Sequence, residues 1–274
     1  MRATFPQRAT ALSGPRATRL AAILDALSSR GEQSVDGLAR DLGVSASTLR
    51  RDLALLEAQD LLTRVHGGAI DAREAGTELP VRYREGRADG QKEAIARAVA
   101  AMLPLGSQVV GLTGGTTTSA VARALASRDS LTVVTNAVNI ASDLTVRARA
   151  KVFMAGGFVR PQSYEVVGQT AIRALSRATL DYAFIGVDGV SARAGLTTHD
   201  EVEAQTNEAM LRRAHRVVVV ADGRKVGRQL MAQIAPIEAA HELITTEGAD
   251  PGQVEQLRAA GVEVTVVPSP PDDA

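Results

Sequence analysis

Seven short apolar runs stand between residues 108 and 267: "QVVGL", "LTVVT", "KVFMA", "YAFIGV", "RVVVVA", "ELITT" and "VEVTVV". Each is too short for a helix and too continuous for a strand with one wet face. Strands of this composition are buried on both sides, which is the signature of a parallel sheet under helices. The windows 91–102, 117–127, 137–145, 168–176, 200–214 and 251–260 supply those helices. Residues 91–268 are therefore expected to form an α/β domain around a largely parallel sheet.

The first quarter of the chain follows another period. Leu20, Ile23, Leu24 and Leu27 recur at helical spacing, and "SSRGEQS" breaks the pattern. Ser34 is placed to cap a second, short helix with Leu38 and Leu42 inward. In "LGVS", Gly43 supplies a left-handed helix end, Val44 an apolar plug and Ser45 the next cap. A third helix runs to about Glu57 with Leu49, Leu53 and Leu56 on its buried stripe. Helix, short helix, glycine turn and capped helix is the order of a helix-turn-helix.

With Leu49 and Leu53 inward, Ser47, Thr48, Arg50 and Arg51 fall on the open sides of the third helix near its start, where such motifs read bases. Arginines there reach guanine edges or phosphates, and the capped helix end at Ser45 favours a phosphate. The competing reading is a solvated face on which Arg51 pairs with Asp52 or Glu57. "LLTRVHGGAI" then alternates around Arg64 and His66 before a Gly-Gly turn, the composition of a β-wing with a basic tip. Residues 16–66 hold seven arginines and seven acids, so specific contacts rather than bulk charge must carry any affinity.

Lys+Arg and Asp+Glu are both 31 overall, which gives no general attraction to nucleic acid. There is no cysteine, hence no disulfide framework and no thiolate metal site. His66, His199, His215 and His241 lack metal-ligand spacing, so neither a metal nor a cofactor is expected. No run approaches the roughly 18 apolar residues that span a bilayer, and the start has no apolar signal core, so a cytoplasmic protein is expected. Residues 1–17 carry Arg2, Arg8 and Arg16 without an acid and are read, with Arg19 just beyond, as a flexible basic leader. Residues 72–90 are polar and charged and are read as a linker without a core, and 269–274 as a frayed tail.

In open α/β sheets ligands sit beyond the carboxyl ends of the strands. "LTGGTTTS" is such a place, where Gly114 and Gly115 admit close backbone approach and Thr116, Thr117 and Thr118 open a helix. Amides, hydroxyls and a helix dipole together suit a phosphate, although a tight turn with a threonine cap has the same sequence. Further strand ends offer Thr135 and Asn136, Gly156, Gly157 and Arg160, Asp188 and Gly189, and Asp222 and Lys225. A lysine, hydroxyls and amide or acid side chains on one sheet edge describe a pocket for a phosphorylated sugar.

The segment "RLAAILDALSSRGEQSVDGLARDLGVSASTLRRDLALLEAQDLLTRVHGGA" resembles the winged helix-turn-helix of the DeoR family of bacterial transcription regulators, over residues 18–71. "GGTTT", "VVTNAVNIASDL", "AGGFVRPQSYEVVGQTA", "DYAFIGVDGVSARAGLTTHDEVEAQTNEAML" and "VVVVADGRKVG" are similar to that family's effector domain, whose fold is like ribose-5-phosphate isomerase. The resemblance implies a repressor of a sugar-metabolism operon, bound to double-stranded operator DNA as a homo-oligomer and controlled by a phosphorylated sugar. On the DNA it implies Ser45, Ser47, Thr48, Arg50, Arg51, Arg64 and His66; on the effector, Gly115, Thr116, Thr117, Thr135, Asn136, Gly156, Gly157, Asp188 and Lys225. Thr113 stands where many members have an acid, so the sugar hydroxyl contacts are expected to differ.

The alternative is a sugar-phosphate isomerase with a fused DNA-binding domain. Proton abstraction beside a carbonyl needs a carboxylate base, and "FIGVDGV" keeps Asp188 but has Ile185 and Gly189 where the isomerases carry acids. Glu201 and Glu203, at the next helix start, are expected to serve the helix dipole and stay in water. A pocket that binds without turnover is the expectation.

Overall fold

The computed structural model describes residues 15–59, 61–71, 78, 80–84, 89–147 and 150–268. Arg2 and Arg8 of the leader, most of 72–90 and the tail 269–274 lie outside the described residues. The chain divides into two compact units, Met1–Arg87 and Ala88–Ala274.

In the first unit, α1 (Pro15–Arg30) buries Leu20, Ile23, Leu24 and Leu27 and ends at Gly31, whose φ of +71° only glycine adopts cheaply. Ser34 caps α2 (Val35–Asp41) by accepting the Gly37 N–H at 3.1 Å, and Ser45 caps α3 (Ala46–Glu57) through the Thr48 N–H at 3.2 Å. Between them Gly43 turns left-handed at φ +62°, and the Val44 N–H closes the turn on the Ala39 carbonyl at 3.0 Å. Leu49, Leu53 and Leu56 are fully buried against α1 leucines in one cluster. Each contributes about 1.5–3 kcal/mol by leaving water.

The wing is larger than its sequence suggests. β2 (Leu62–Val65) and β3 (Gly68–Asp71) form the hairpin, and β1 (Gln33–Ser34) adds a third antiparallel strand beside β3. Gln33 pairs with Ala69 and Ser34 with Gly68, where a side chain on Gly68 would collide with the Gln33 carbonyl. The wing is thereby tied to the turn before α2.

Two expectations are corrected in this unit. The stretch read as basic leader turns helical at Pro15, and Arg16 and Arg19 lie on α1 with their guanidiniums on Asp52, at 3.2 and 2.7 Å. They pair with α3 rather than hang free. The stretch read as a linker without a core contains α4 (Val81–Arg84), whose Val81 is fully buried.

In the second unit seven parallel strands lie in the order β15-β14-β12-β9-β4-β5-β6. These are β4 (Gln108–Leu112), β5 (Leu131–Thr135), β6 (Lys151–Met154), β9 (Leu180–Gly186), β12 (Ala214–Val220), β14 (Glu242–Thr246) and β15 (Glu263–Val267). Helices α5 (Asp89–Met102), α6 (Thr116–Leu125) and α7 (Val138–Arg147) share one core cluster with Val110, Phe184, Val218 and Val220. On the other face, α8 (Gln169–Leu175), α9 (Glu201–Leu211) and α10 (Pro251–Ala259) pack with Ala183, Ile185, Val217 and Val219. The unbroken "VVVV" run is thus two alternating faces, both dry.

The sequence reading missed the smaller antiparallel pieces. A hairpin, β7 (Phe158–Arg160) with β8 (Glu165–Val167), follows β6, and β10 (Gly189–Ser191), β11 (Gly195–Thr198) and β13 (Ala232–Ala235) form a separate three-stranded sheet. From β4 the chain first builds outward through β5 to β6 and then, from β9, outward to β15. The direction reverses between β4 and β9, which is where an open α/β sheet forms its ligand crevice.

Candidate functional site

On the first unit the open face of α3 presents Ser47, Arg50 and Arg51, all exposed, and the half-buried Thr48. The hydroxyls of Ser47 and Thr48 lie 3.0 and 2.9 Å from the Ser45 oxygen, so the helix start is a hydroxyl cluster around a capped end. The sequence offered Asp52 or Glu57 as partners for Arg51. Asp52 is 2% exposed and engaged by Arg16 and Arg19, while Glu57 faces Arg64 at 3.7 Å. Among the described residues no ion pair holds Arg50 or Arg51. Both guanidiniums are left to meet an external anion or base edge. Arg64 and His66 stand exposed on β2 and the wing turn, where Gly67 adopts φ +82°. The Arg64–Glu57 pair is exposed on both sides and is worth little.

On the second unit the loop after β4 enters α6 with Gly115 at φ +126°, and Gly115 caps the helix without a side-chain hydrogen bond. The threonines therefore do not cap it. Thr118 and Ser119 donate back to the Gly115 carbonyl at 3.0 and 2.7 Å, while Thr116 stays half-exposed at the helix start. Thr113 is fully buried and its hydroxyl accepts the Gly186 N–H of β9 at 2.9 Å. A Cβ on Gly186 would sit 2.9 Å from the Gly114 carbonyl, so the β4 and β9 ends touch backbone to backbone.

Two predicted contacts have internal duties. Thr135 is fully buried, donates to the Leu112 carbonyl at 2.7 Å and accepts the Ala137 N–H at 3.0 Å, so its hydroxyl locks β5 to β4. Asn136, also fully buried, donates its side-chain amide to Glu165 at 3.3 Å and Asn207 at 3.1 Å, and its side-chain Oδ1 has no partner among the described residues. Gly156 and Gly157 are exposed at the turn into the β7–β8 hairpin, with Gly157 at φ +146°.

Glu165, on β8, is the residue the sequence reading passed over. Its carboxyl is 2% exposed and accepts the Gly114 N–H at 2.5 Å, so a protein acid already holds the first amide of the glycine loop. Burial and the adjacent Glu203 carboxyl push its pKa well above the usual range, against the opposing pull of the Gly114 N–H. Glu203 is itself 5% exposed, which overturns the expectation that it stays in water. It accepts from Thr198 at 2.7 Å and pairs with Arg160 at 3.2 Å. Glu201 is exposed at the α9 start, as expected.

The network continues to the other strand ends. Asp188 receives the Thr198 hydroxyl at 3.2 Å, lies 3.0 Å from the His199 ring and pairs with Lys225 at 3.5 Å. The Lys225 ammonium also donates to the Val187 carbonyl at 2.5 Å. Burial would raise the Asp222 pKa, but Lys225 and Arg224 outweigh it and hold the carboxyl below its usual value. Glycine loop, Asn136, Glu165, Glu203, Asp188 and Lys225 thus form one polar seam along the carboxyl edge of the sheet. Seams of this kind read hydroxyls and anions.

Comparisons with known proteins identify the family of both units. Residues 19–74 match the DeoR-like helix-turn-helix domain model and residues 87–247 the DeoR C-terminal sensor domain model. The chain is similar to the HTH-type transcriptional regulator GlpR of Haloferax volcanii, 36% identical over 90% of this chain and 96% of the relative. It is also similar to the glycerol-3-phosphate regulon repressor of Escherichia coli strain K12, 32% identical over 86% and 92% of the two chains. Among solved structures, ribose 5-phosphate isomerase from Plasmodium falciparum overlaps 52% of each chain at 10% identity with a TM-score of 0.37. The chain is a member of the DeoR family of DNA-binding transcriptional regulators.

Proposed function

We propose that this regulator is a repressor of a sugar-metabolism operon. It reads double-stranded operator DNA with the α3 face and responds to a phosphorylated sugar held at the carboxyl edge of the sheet. The observation that carries the first half is the exposed pair Arg50 and Arg51, which have no ion pair among the described residues, on a capped helix start. Ser45, Ser47 and Thr48 position that start on a phosphate, and Arg64 and His66 on the wing meet the neighbouring backbone.

The second half rests on the glycine loop and helix start at Gly115, Thr116 and Thr117, with Lys225 and Asp188 across the switch point. Amides and a helix dipole there favour a phosphate, and Asn136 has a side-chain oxygen without a partner among the described residues that would suit a sugar hydroxyl. Gly156 and Gly157 close the edge by their turn. The effector shifts operator affinity only through unequal affinity for two arrangements of the protein. Binding without turnover fits the buried carboxyls, because Glu165 and Glu203 are tied to each other and to Arg160 and Thr198 rather than poised at a substrate carbon.

In this reading the regulator works on DNA in the cytoplasm as a homo-oligomer; no helix among the described residues is long and apolar enough to cross a membrane. The relatives' names likewise describe regulators and not enzymes. The experiment is an operator titration with and without sugar phosphates, run beside an aldose–ketose isomerisation assay. A ligand-dependent shift without turnover supports the proposal, and turnover at enzyme-like rates favours the isomerase alternative.

A further inference from the structure

Several of the groups in the network around the Gly114–Gly115 loop are acceptors. Glu165 sits on the Gly114 amide, and a Cβ at Gly114 would lie only 2.4–2.9 Å from three atoms of its side chain, so not even a methyl group fits between them. Asn136 gives its N–H to Glu165 and keeps a buried carbonyl oxygen without a partner among the described residues. Asn139, on α7, gives its N–H to Ser119 at 3.0 Å, and Ser119 in turn donates to the Gly115 carbonyl. The Asn139 carbonyl oxygen is likewise buried and unpaired among the described residues. Two amide oxygens without a partner among the described residues and a buried acid pair thus belong to the hydrogen-bond network that reaches the loop before α6.

An unpaired buried acceptor is satisfied by a hydroxyl donor and made worse by a carboxylate. The charge argument agrees. Consecutive residues are ~3.8 Å apart, so an anion on the Gly115 and Thr116 amides lies within one or two residue spacings of the Glu165–Glu203 pair. Arg160 already offsets the Glu203 carboxyl at 3.2 Å, so the pair offers a ligand carboxylate no cation of its own. The helix start compensates for one anionic group there, not for a second beside it.

We propose that Glu165, with Asn136 and Asn139, is the specificity determinant of the effector pocket, selecting phosphate esters of neutral polyols and sugars and excluding phosphorylated sugar acids. This deepens the reading of the loop as the effector's phosphate site and rests on it.

The test is binding of matched ligand pairs to the full chain by calorimetry and thermal shift. Suitable pairs are glycerol 3-phosphate with 3-phosphoglycerate, and glucitol 6-phosphate with 6-phosphogluconate, beside inorganic phosphate. The wild type is expected to prefer the neutral member of the pair that binds by about tenfold or more, and Glu165→Gln to shrink that gap to roughly threefold by admitting the acid. Asn139→Ala should weaken the neutral member and leave inorganic phosphate unchanged. Equal or reversed preference in the wild type overturns the inference without any variant, and a gap unchanged in a folded Glu165→Gln protein removes Glu165 from the role. If neither inorganic phosphate nor any ester binds, the phosphate-site reading itself falls and takes this inference with it.

Discussion

Arg19 on α1 donates its Nε to the Asp52 carboxylate on α3 at 2.7 Å, and Asp52 is 2% exposed. Helix α3, whose outer face we propose reads DNA, is therefore held by this ion pair on its inner side, with Arg16 as a second donor at 3.2 Å. A residue adjacent to Arg51 in sequence belongs to the scaffold and not to the reading face. Asp52→Ala should destabilise the first unit by about 1–3 kcal/mol, because it leaves the Arg19 guanidinium partly buried without its carboxylate. Urea unfolding of the full chain, followed beside operator binding, measures it. An unchanged midpoint would show that the pair contributes nothing.

Arg51→Ala should weaken operator binding by about 1–3 kcal/mol if the guanidinium reads a base, with a smaller and salt-dependent loss if it touches phosphate alone. Arg64→Ala belongs to the second kind. A gel-shift series at several salt concentrations separates the two, and wild-type affinity for Arg51→Ala would remove it from the interface.

The effector response should be separable from DNA binding. Lys225→Ala and Thr116→Val are expected to leave operator affinity intact and abolish the change that a sugar phosphate produces. Gly114→Ala should do the same by driving a methyl group into the Glu165 side chain. A normal response in any of the three would take that residue out of the account.

Lys92 on α5 gives a pH signature with a definite sign. Burial lowers its pKa from 10.5 to about 8, against the opposing attraction of Asp89 at 3.4 Å. Between those two values the unfolded chain binds the proton more tightly than the folded one, so the lysine contributes stability that rises with pH through this window. At neutral pH the charged form carries a penalty of about 3 kcal/mol. Lys92→Met should raise the melting temperature at pH 7 and flatten the difference from wild type as the pH climbs towards 10. A variant that melts lower at pH 7 would show that the Asp89 pair outweighs burial.

What the sequence makes legible follows from how local the physics is. The caps Ser34 and Ser45, the turn at Gly43 and the leucine stripe of α3 are written in neighbouring residues, and they appear where expected. The parallel strands are legible because a core buried on both faces leaves no polar alternation to misread. β1 is two residues long and exists only because β3 comes alongside, so no local signal marks it. Arg16 and Arg19 look like a solvated basic run because their partner lies 33 or more residues away.

The site divides along the same line. Glycines and threonines after β4 announce a loop that backbone chemistry shapes, while the acids that complete it give no such sign. Glu203 looks like an ordinary helix-start acid, and Glu165 sits in an apolar-flanked hairpin that pattern reading passes over. Only the packing of β8 and α9 onto the β4 loop brings the two carboxyls together. Thr135 shows the converse. Its type and place suit a ligand, yet both sides of its hydroxyl are engaged with Leu112 and Ala137.

The central claim, a sugar-phosphate cradle coupled to a DNA-reading helix, is tested most directly by titrating the full chain onto a labelled promoter fragment with and without a phosphorylated polyol. The account predicts tight, salt-sensitive binding whose midpoint moves by about tenfold or more when the ligand saturates the protein. Superimposable curves with a ligand that demonstrably binds, or no retention of any promoter fragment, would contradict it.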